Sequence, residues 1–184
     1  MISLVSVLRD NSKTEIGLVG NEGMVGLPAF LGGSFTPNRA IVQIAGNAIK
    51  LSADVLKREF DRGRELQRLL LLYTQALLTQ VSQISACKSR HGLEQQLARW
   101  LLSVQDCVRQ DEFRLTHQFI SEMLGVRRAS VTEIASTFQR AGIIRYSRGQ
   151  IAILNQAELE ATACECYGLI KGEFLRLLGT EQST

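Results

Sequence analysis

Residues 116–140 read THQFISEMLGVRRASVTEIASTFQR. From His117 a helix is predicted to run to about Leu124. Gly125 follows, where a tight turn between helices needs a residue tolerant of positive φ. A second helix is predicted to begin near Arg127. Ile120, Leu124, Val126, Val131 and Ile134 are the apolar positions through which two short helices cross and share a core with the helix before them. Ser121 is a small side chain where the two come closest. Thr116 is available as an N-cap. Just downstream, IIRYS, RGQ and IAILN read as a hairpin over 143–155. The combined spacing is a helix-turn-helix pattern followed by a wing.

The side chains on this scaffold suit a polyanion. The start of the second helix carries Arg127, Arg128, Ser130 and Glu133. Arginine can reach guanine O6 and N7 in a bidentate way, and glutamate can accept from cytosine N4. Between Phe113 and Gln150 there are six arginines against two glutamates, a local excess of four positive charges where the whole chain has only +3. Phosphate neutralisation needs local charge of this kind. Plainer readings stand beside these. Arg127 and Arg128 could be solvated positions, although cations are disfavoured at a helix N-terminus. Glu133 could pair with an arginine on its own helix. His117 could be a surface residue or a phosphate contact, and Arg148 a backbone contact or simple turn chemistry with Gly149.

Upstream, 92–108 (GLEQQLARWLLSVQDCV) is an amphipathic helix with Leu93, Leu97, Trp100, Leu101 and Val104 on one side. Trp100, the only tryptophan, is read as core. Before it, Leu66, Leu70, Tyr73, Leu77, Gln80, Ile84 and Cys87 follow a 4,3,4,3,4,3 spacing. That is a heptad seam on a helix about 40 Å long, predicted over 62–87. It suits pairing with a second copy of the chain, with Gln80 as a polar specificity contact. The other reading is an ordinary buried helix. Residues 1–56 are glycine-rich and hold both prolines. The runs SLVSVL, EIGLVG, NEGMVG, AIVQIAG and AIKLS, separated by turn signals, read as short strands. The tail, 156–178, places Leu159, Ala163, Cys166, Ile170, Phe174 and Leu177 on one stripe and reads as a single closing helix.

Composition narrows the classes. The chain has 184 residues, 45% hydrophobic and 21% charged, enough to bury a core. Four cysteines (Cys87, Cys107, Cys164, Cys166) are too few and too scattered for a disulfide framework. Cys164 and Cys166 form a CxC pair with no further ligand nearby in sequence, so no metal site is expected. The apolar stretch Leu69 to Tyr73 is far short of the ~20 residues that span a bilayer, and residues 1–8 make no signal peptide. A soluble, reduced, cytoplasmic protein without a membrane partner is expected. Catalytic signatures are missing: no Gly-x-Ser-x-Gly, no Gly-x-x-x-x-Gly-Lys and no His-Glu-x-x-His. The chain is not read as an enzyme, and no catalytic residue or cofactor is assigned.

Taken in order, the glycine-rich β-region, the heptad helix, QQLARWLL, LTHQFISEMLGVRRASVTEIASTFQRAGII and the wing resemble the Crp–Fnr family of bacterial transcription regulators. The resemblance covers almost the whole chain and is most specific from Leu93 to Leu154. It implies an α+β fold with three parts: a partial, cyclic-nucleotide-binding-like β-roll (1–57), a dimerisation helix (58–87), and a winged helix-turn-helix with a C-terminal helix (88–184). It implies a homodimer that binds a roughly palindromic operator in double-stranded DNA, with RNA polymerase as a further partner. By position, Arg128 matches the family's base-reading arginine, Arg127 and Ser130 its phosphate-contacting neighbours, and Thr116, His117 and Gln118 its backbone contacts; the wing brings Arg148 to the DNA backbone. Glu133 stands where the best-known member has a second arginine, and Ala129 where it has a glutamate, so a different operator is expected. The dimer seam would be Leu66, Leu70, Tyr73, Leu77, Gln80 and Ile84.

The effector cassette falls at Gly23, Met24, Arg39 and Ala40. Met24 replaces the glutamate that holds a cyclic-nucleotide ribose, and a thioether cannot accept that hydrogen bond as a carboxylate does. Cyclic AMP is therefore not the expected effector, and its identity stays open. The β-region reads as shortened. The cysteines that iron–sulfur members carry near the N-terminus have no counterpart here. The alternative function is a small-molecule sensor or protein-interaction dimer whose winged helix does not read DNA.

Overall fold

A computed structural model describes residues 1–33 and 35–179. Its elements, in order, are β1 (Ile2–Val7), β2 (Lys13–Val19), α1 (Pro28–Leu31), β3 (Arg39–Val42), α2 (Ala53–Asp61), α3 (Glu65–Arg90), α4 (Leu93–Val108), β4 (Glu112–Arg114), α5 (His117–Leu124), α6 (Arg128–Arg140), β5 (Ile144–Ser147), β6 (Gln150–Ile153), α7 (Gln156–Thr162) and α8 (Cys166–Leu178). Two antiparallel three-stranded sheets, ordered β2-β1-β3 and β4-β6-β5, flank the helices. The fold is α+β, with a long helix and a C-terminal winged helix-turn-helix.

Of the expected strands, SLVSVL, EIGLVG and AIVQIAG form β1, β2 and β3. NEGMVG is a turn region and AIKLS is exposed coil. Neither has a neighbouring strand to complete its ladder, and Ile49 is fully exposed.

The predicted 62–87 helix begins later and ends later. Gly63, at φ +66, separates α2 from α3. Ser52 caps α2 through Val55 N, and Leu56 packs with Phe30 and Leu70. The seam of α3 faces inward. Leu70, Tyr73, Leu77, Gln80 and Ile84 are all buried within this chain, and only Leu66 is exposed. Tyr73, Ala76 and Ile84 pack on Ile170 and Phe174 of α8, with the Tyr73 and Phe174 rings edge to face at 6.4 Å. Gln80 is engaged within the chain: its Oε1 accepts from Leu18 N at 2.9 Å. It thereby satisfies a backbone donor on β2, an edge strand of its sheet. Gly17 allows this approach, because a Cβ there would lie 2.7 Å from that oxygen. The seam assigned to dimerisation is therefore an intrachain face. A heptad pattern reports a buried stripe and does not say which element buries it.

α4 is the central helix, with Leu97, Trp100, Leu101, Leu102 and Val104 at most 1% exposed. The Trp100 indole donates to Glu15 Oε1 at 2.8 Å, and Ser3 Oγ donates to the other carboxyl oxygen. Glu15 thus ties β1 and β2 to the helical half. Burial pushes its carboxyl up to about 7, against the two hydrogen bonds and the nearby charges of Arg99 and Lys88. Lys88 donates to Glu15 O at 3.0 Å and to the Thr14 hydroxyl. The predicted single tail helix is two, because the chain turns extended at Ala163 (ψ 157) before α8 begins.

A carboxyl pKa raised by folding stabilises the protein most below its unfolded value, 4.5, and that contribution is lost as pH rises through about 7. Glu15→Gln keeps an acceptor for Trp100 and cannot ionise. Between pH 5 and pH 8 the wild type should lose on the order of 2 kcal/mol relative to Glu15→Gln in urea denaturation. Parallel stability curves would contradict this.

Candidate nucleic-acid interface

Thr116 Oγ1 accepts from Phe119 N at 3.1 Å and opens α5. Gly125, at φ +73, closes it, and Val126 N donates to Ser121 O at 2.9 Å across the elbow. Ser121 is buried, as expected of the crossing point. α6 leaves the elbow with Arg127 as its N-cap, at extended φ/ψ and with no side-chain acceptor, and no acidic residue stands in its first turn. Its first N–H groups thus face outward beside two guanidinium groups, a combination that attracts anions. Val131, Ala135 and Phe138 bury the inner face against the shared core. Arg127, Arg128, Ala129, Thr132, Glu133, Ser136, Thr137 and Arg140 are exposed on the outer one, and Ser130 is half-buried.

The wing is a two-residue hairpin. Arg148 (φ +49) and Gly149 (φ +79) both occupy the left-handed region that such a turn requires. Glycine does so freely, whereas arginine is strained there. Leu115 N donates to Gly149 O at 2.8 Å, which sets the wing tip beside the start of α5. Thr116 and Arg148 are consequently neighbours on one surface. Among the described residues, Arg127, Arg128 and Arg148 have no carboxylate within 4 Å, whereas Arg145 is paired to Glu112 at 2.9 Å.

Three other side chains stand as follows. His117 is half-buried: its ring stacks on Tyr146 at 3.9 Å and 19°, and its Nδ1 lies 3.0 Å from Thr132 Oγ1. Burial, then the Arg128 charge, holds it below the usual histidine range. It pins α5, α6 and β5 together, and its buried Nε2 has no hydrogen-bond partner among the described residues. Gln118 donates to Glu122 at 3.0 Å along α5. Glu133 is exposed one turn beyond Arg128, with no ion pair among the described residues. Sequence reasoning missed Tyr146. Its signal was the outward alternation of a wing strand, which does not reveal a stacking partner on a distant helix.

The four residues expected at an effector site lie on two separate segments, the turn after β2 and strand β3. Gly23 lies against Tyr73, where a Cβ would sit 2.7 Å from the hydroxyl. Tyr73 Oη donates to Met24 O at 2.9 Å, and the Met24 side chain packs into the clusters around Tyr73 and Phe30. Arg39 and Ala40 are exposed on β3, paired with Val5 and Leu4. A cavity of about 370 Å³ does exist elsewhere, between β2, α3, α4 and α8. It is lined in part by Leu18, Gln80, Asp106, Tyr167, Ile170 and Lys171. Tyr167 donates to Asp106 at 2.9 Å there, and Lys171 to Asp106 at 3.1 Å.

The geometry defines a winged helix-turn-helix protein. Residues 95–162 match the Crp-like helix-turn-helix domain. The fold of the chain is that of Crp/Fnr regulators. It is similar to a CRP-family transcriptional regulator from Thermus thermophilus, at 20% identity over 88% of this chain and 83% of that one, with a TM-score of 0.67. A second regulator of the CRP/FNR family from the same organism gives 18% identity, 88% and 82% coverage and a TM-score of 0.65. FixK2 from Bradyrhizobium japonicum gives 14%, 89%, 83% and 0.64. No curated protein matches the chain by sequence. No helix among the described residues is long and apolar enough to cross a membrane.

The strain at the wing tip is measurable. Arg148→Gly should raise stability by about 0.5–1 kcal/mol in thermal or urea unfolding, since glycine adopts the left-handed conformation without the Cβ penalty. A loss of stability would mean that the arginine side chain holds the turn.

Proposed function

We propose that this protein is a sequence-specific DNA-binding transcription regulator that acts as a homodimer on a roughly palindromic operator. The observation that carries the reading is the presentation of Arg127 and Arg128. Both are exposed and, among the described residues, free of carboxylate partners, at the uncapped N-terminus of a helix whose other face is locked into the core. A helix so placed enters a major groove first turn foremost. Arg128 would read a guanine edge, and Glu133, one turn on, a cytosine. Arg127, Ser130, Thr116, Gln118 and Arg148 would contact phosphates on either side. His117 would act by holding the recognition helix to the wing and not by reaching a phosphate itself, since its Nε2 is buried.

The dimer would form through the free face of α3. Leu71 and Leu78 are 48% and 63% exposed. With half-buried Thr74 and Val81 they follow a 3,4,3 spacing, which is a second and open stripe. Two such helices side by side would set two recognition helices on one face of a duplex, one helical turn apart. The alternative, a sensor or interaction dimer that does not read DNA, draws on the cavity beside Asp106 and Lys171. The unpaired arginines favour the DNA reading.

Arg128→Ala should cost about 1–3 kcal/mol of specific binding and relax the preference at one base position per half-site. Arg148→Gly should weaken binding to all sequences and lower the salt slope by about one. Fluorescence anisotropy across a salt series reads both. Unchanged binding in Arg128→Ala would remove the assignment.

Leu71→Asp combined with Leu78→Asp should give a folded monomer by sedimentation. Leu70→Asp or Leu77→Asp should instead unfold the chain, because each buries a charge. A dimer of normal mass in the first variant would move the interface elsewhere.

A further inference from the structure

The C-terminal end of α3 and the link between α7 and α8 meet in a cluster that the DNA-reading surface does not use. Cys87 and His91 lie four residues apart at the end of α3, so they project from one face. Cys164 and Cys166 flank Glu165, the N-cap of α8. The three sulfurs and a ring nitrogen of His91 all lie within 4.8 Å of one another. Cys87 Sγ is 3.5 Å from Cys164 Sγ, and Cys166 Sγ is 3.7 Å from His91 Nδ1. All three thiols are buried and none is in a disulfide.

We propose that Cys87, His91, Cys164 and Cys166 form a mononuclear tetrahedral site for Zn²⁺. With Zn–S near 2.3 Å and Zn–N near 2.0 Å, a tetrahedron has sulfur–sulfur edges of about 3.8 Å and sulfur–nitrogen edges of about 3.6 Å. The two separations above lie close to those edges. They are too long for a disulfide, which needs about 2.05 Å. They are too short for a cluster of several irons, which spreads its thiolates around more than one metal atom. Three soft sulfurs and one imidazole select zinc among the common divalent ions.

The surroundings agree with the donor set. His91 turns Nδ1 toward Cys166 while Nε2 lies 3.2 Å from Glu165 Oε2. A carboxylate behind the imidazole fixes the ring and its tautomer for ligation. The α7–α8 break falls in ATACECY, which contains neither glycine nor proline. Ligation gives that break a physical cause, since it turns Cys164 toward Cys87. Four protein ligands complete the tetrahedron and leave no open position, so the site is structural and not catalytic. Binding deprotonates the thiols and releases up to three protons to solvent, which makes the affinity rise with pH. The ion would fasten the start of α8 to the end of α3, and so hold the face of α8 that covers Tyr73 and Ile84.

The test uses the full chain purified under reducing conditions. Elemental analysis should find about one zinc per chain, and replacement by Co²⁺ should give tetrahedral d–d bands with thiolate charge transfer. Cys164→Ser and Cys166→Ser should each lower metal affinity at least tenfold. Cys107→Ser, half-buried outside the cluster, should keep it. Glu165→Gln should retain zinc but bind it about 10–100-fold more weakly in chelator competition. If the serine variants do not fold, the wild-type Co²⁺ spectrum decides, because its charge-transfer intensity counts the thiolate ligands. A folded wild type without zinc and without a tetrahedral cobalt spectrum overturns the proposal. So does a Cys164→Ser/Cys166→Ser chain that keeps its metal, or a freshly purified chain about 2 Da light from a disulfide.

Discussion

The structure depends on how α3 spends its two apolar faces. Its inner stripe, Leu70 through Ile84, is consumed within the chain by α2, β2 and α8. A helix so engaged cannot offer the same stripe to a second copy without unfolding its own core, where each large side chain contributes roughly 1.5–3 kcal/mol by burial. What remains is the outer stripe with Leu71 and Leu78. The same packing explains α8, a closing helix whose Ile170 and Phe174 cover Tyr73 and Ile84. It explains Gln80 as well: a polar residue in an apolar seam is stable there because it completes a strand's backbone bonding.

From α3 the constraint passes to the helix-turn-helix through two joints, one buried and one half-buried. One is the Glu15 carboxyl between Ser3 and Trp100; the other is Lys88, which reaches the β1–β2 hairpin and the Met123 carbonyl of α5. The winged domain is thus docked on the small sheet. Its outer surface is then set by local chemistry: a Thr116 cap, a glycine elbow, a helix start without its own acceptor, and a wing tip tied to Leu115. The helix start leaves Arg127 and Arg128 exposed, and the wing tip leaves Arg148 exposed. Arg148 stands at that tip in a left-handed conformation.

Much of this was legible in the sequence, because it is local. The cap at Thr116, the positive φ at Gly125, the hairpin turn and the apolar positions of α5 and α6 follow from residue types at short spacing. The resemblance of 93–154 to Crp–Fnr regulators rested on the same residues. What was not legible is tertiary. The heptad spacing is identical whether a partner chain or α8 fills it. AIKLS has strand propensity but no neighbour, and Met24 is half-buried against the clusters around Tyr73 and Phe30. Cys164 and Cys166 looked isolated, since Cys87 and His91 lie more than seventy residues away and only the return of α8 along α3 brings them close. Cys87 and His91 did carry a local signal, four apart at a helix end, that a count of cysteines alone passes over.

The central claim, that paired recognition helices read base edges, is tested most directly by selecting bound sequences from a random DNA pool with the full chain. The expected enrichment is an inverted repeat whose half-sites are centred about one helical turn, roughly 10 base pairs, apart, with a fixed guanine in each arm. A pool that stays random at low salt, or that converges on a single unpaired half-site, would contradict it.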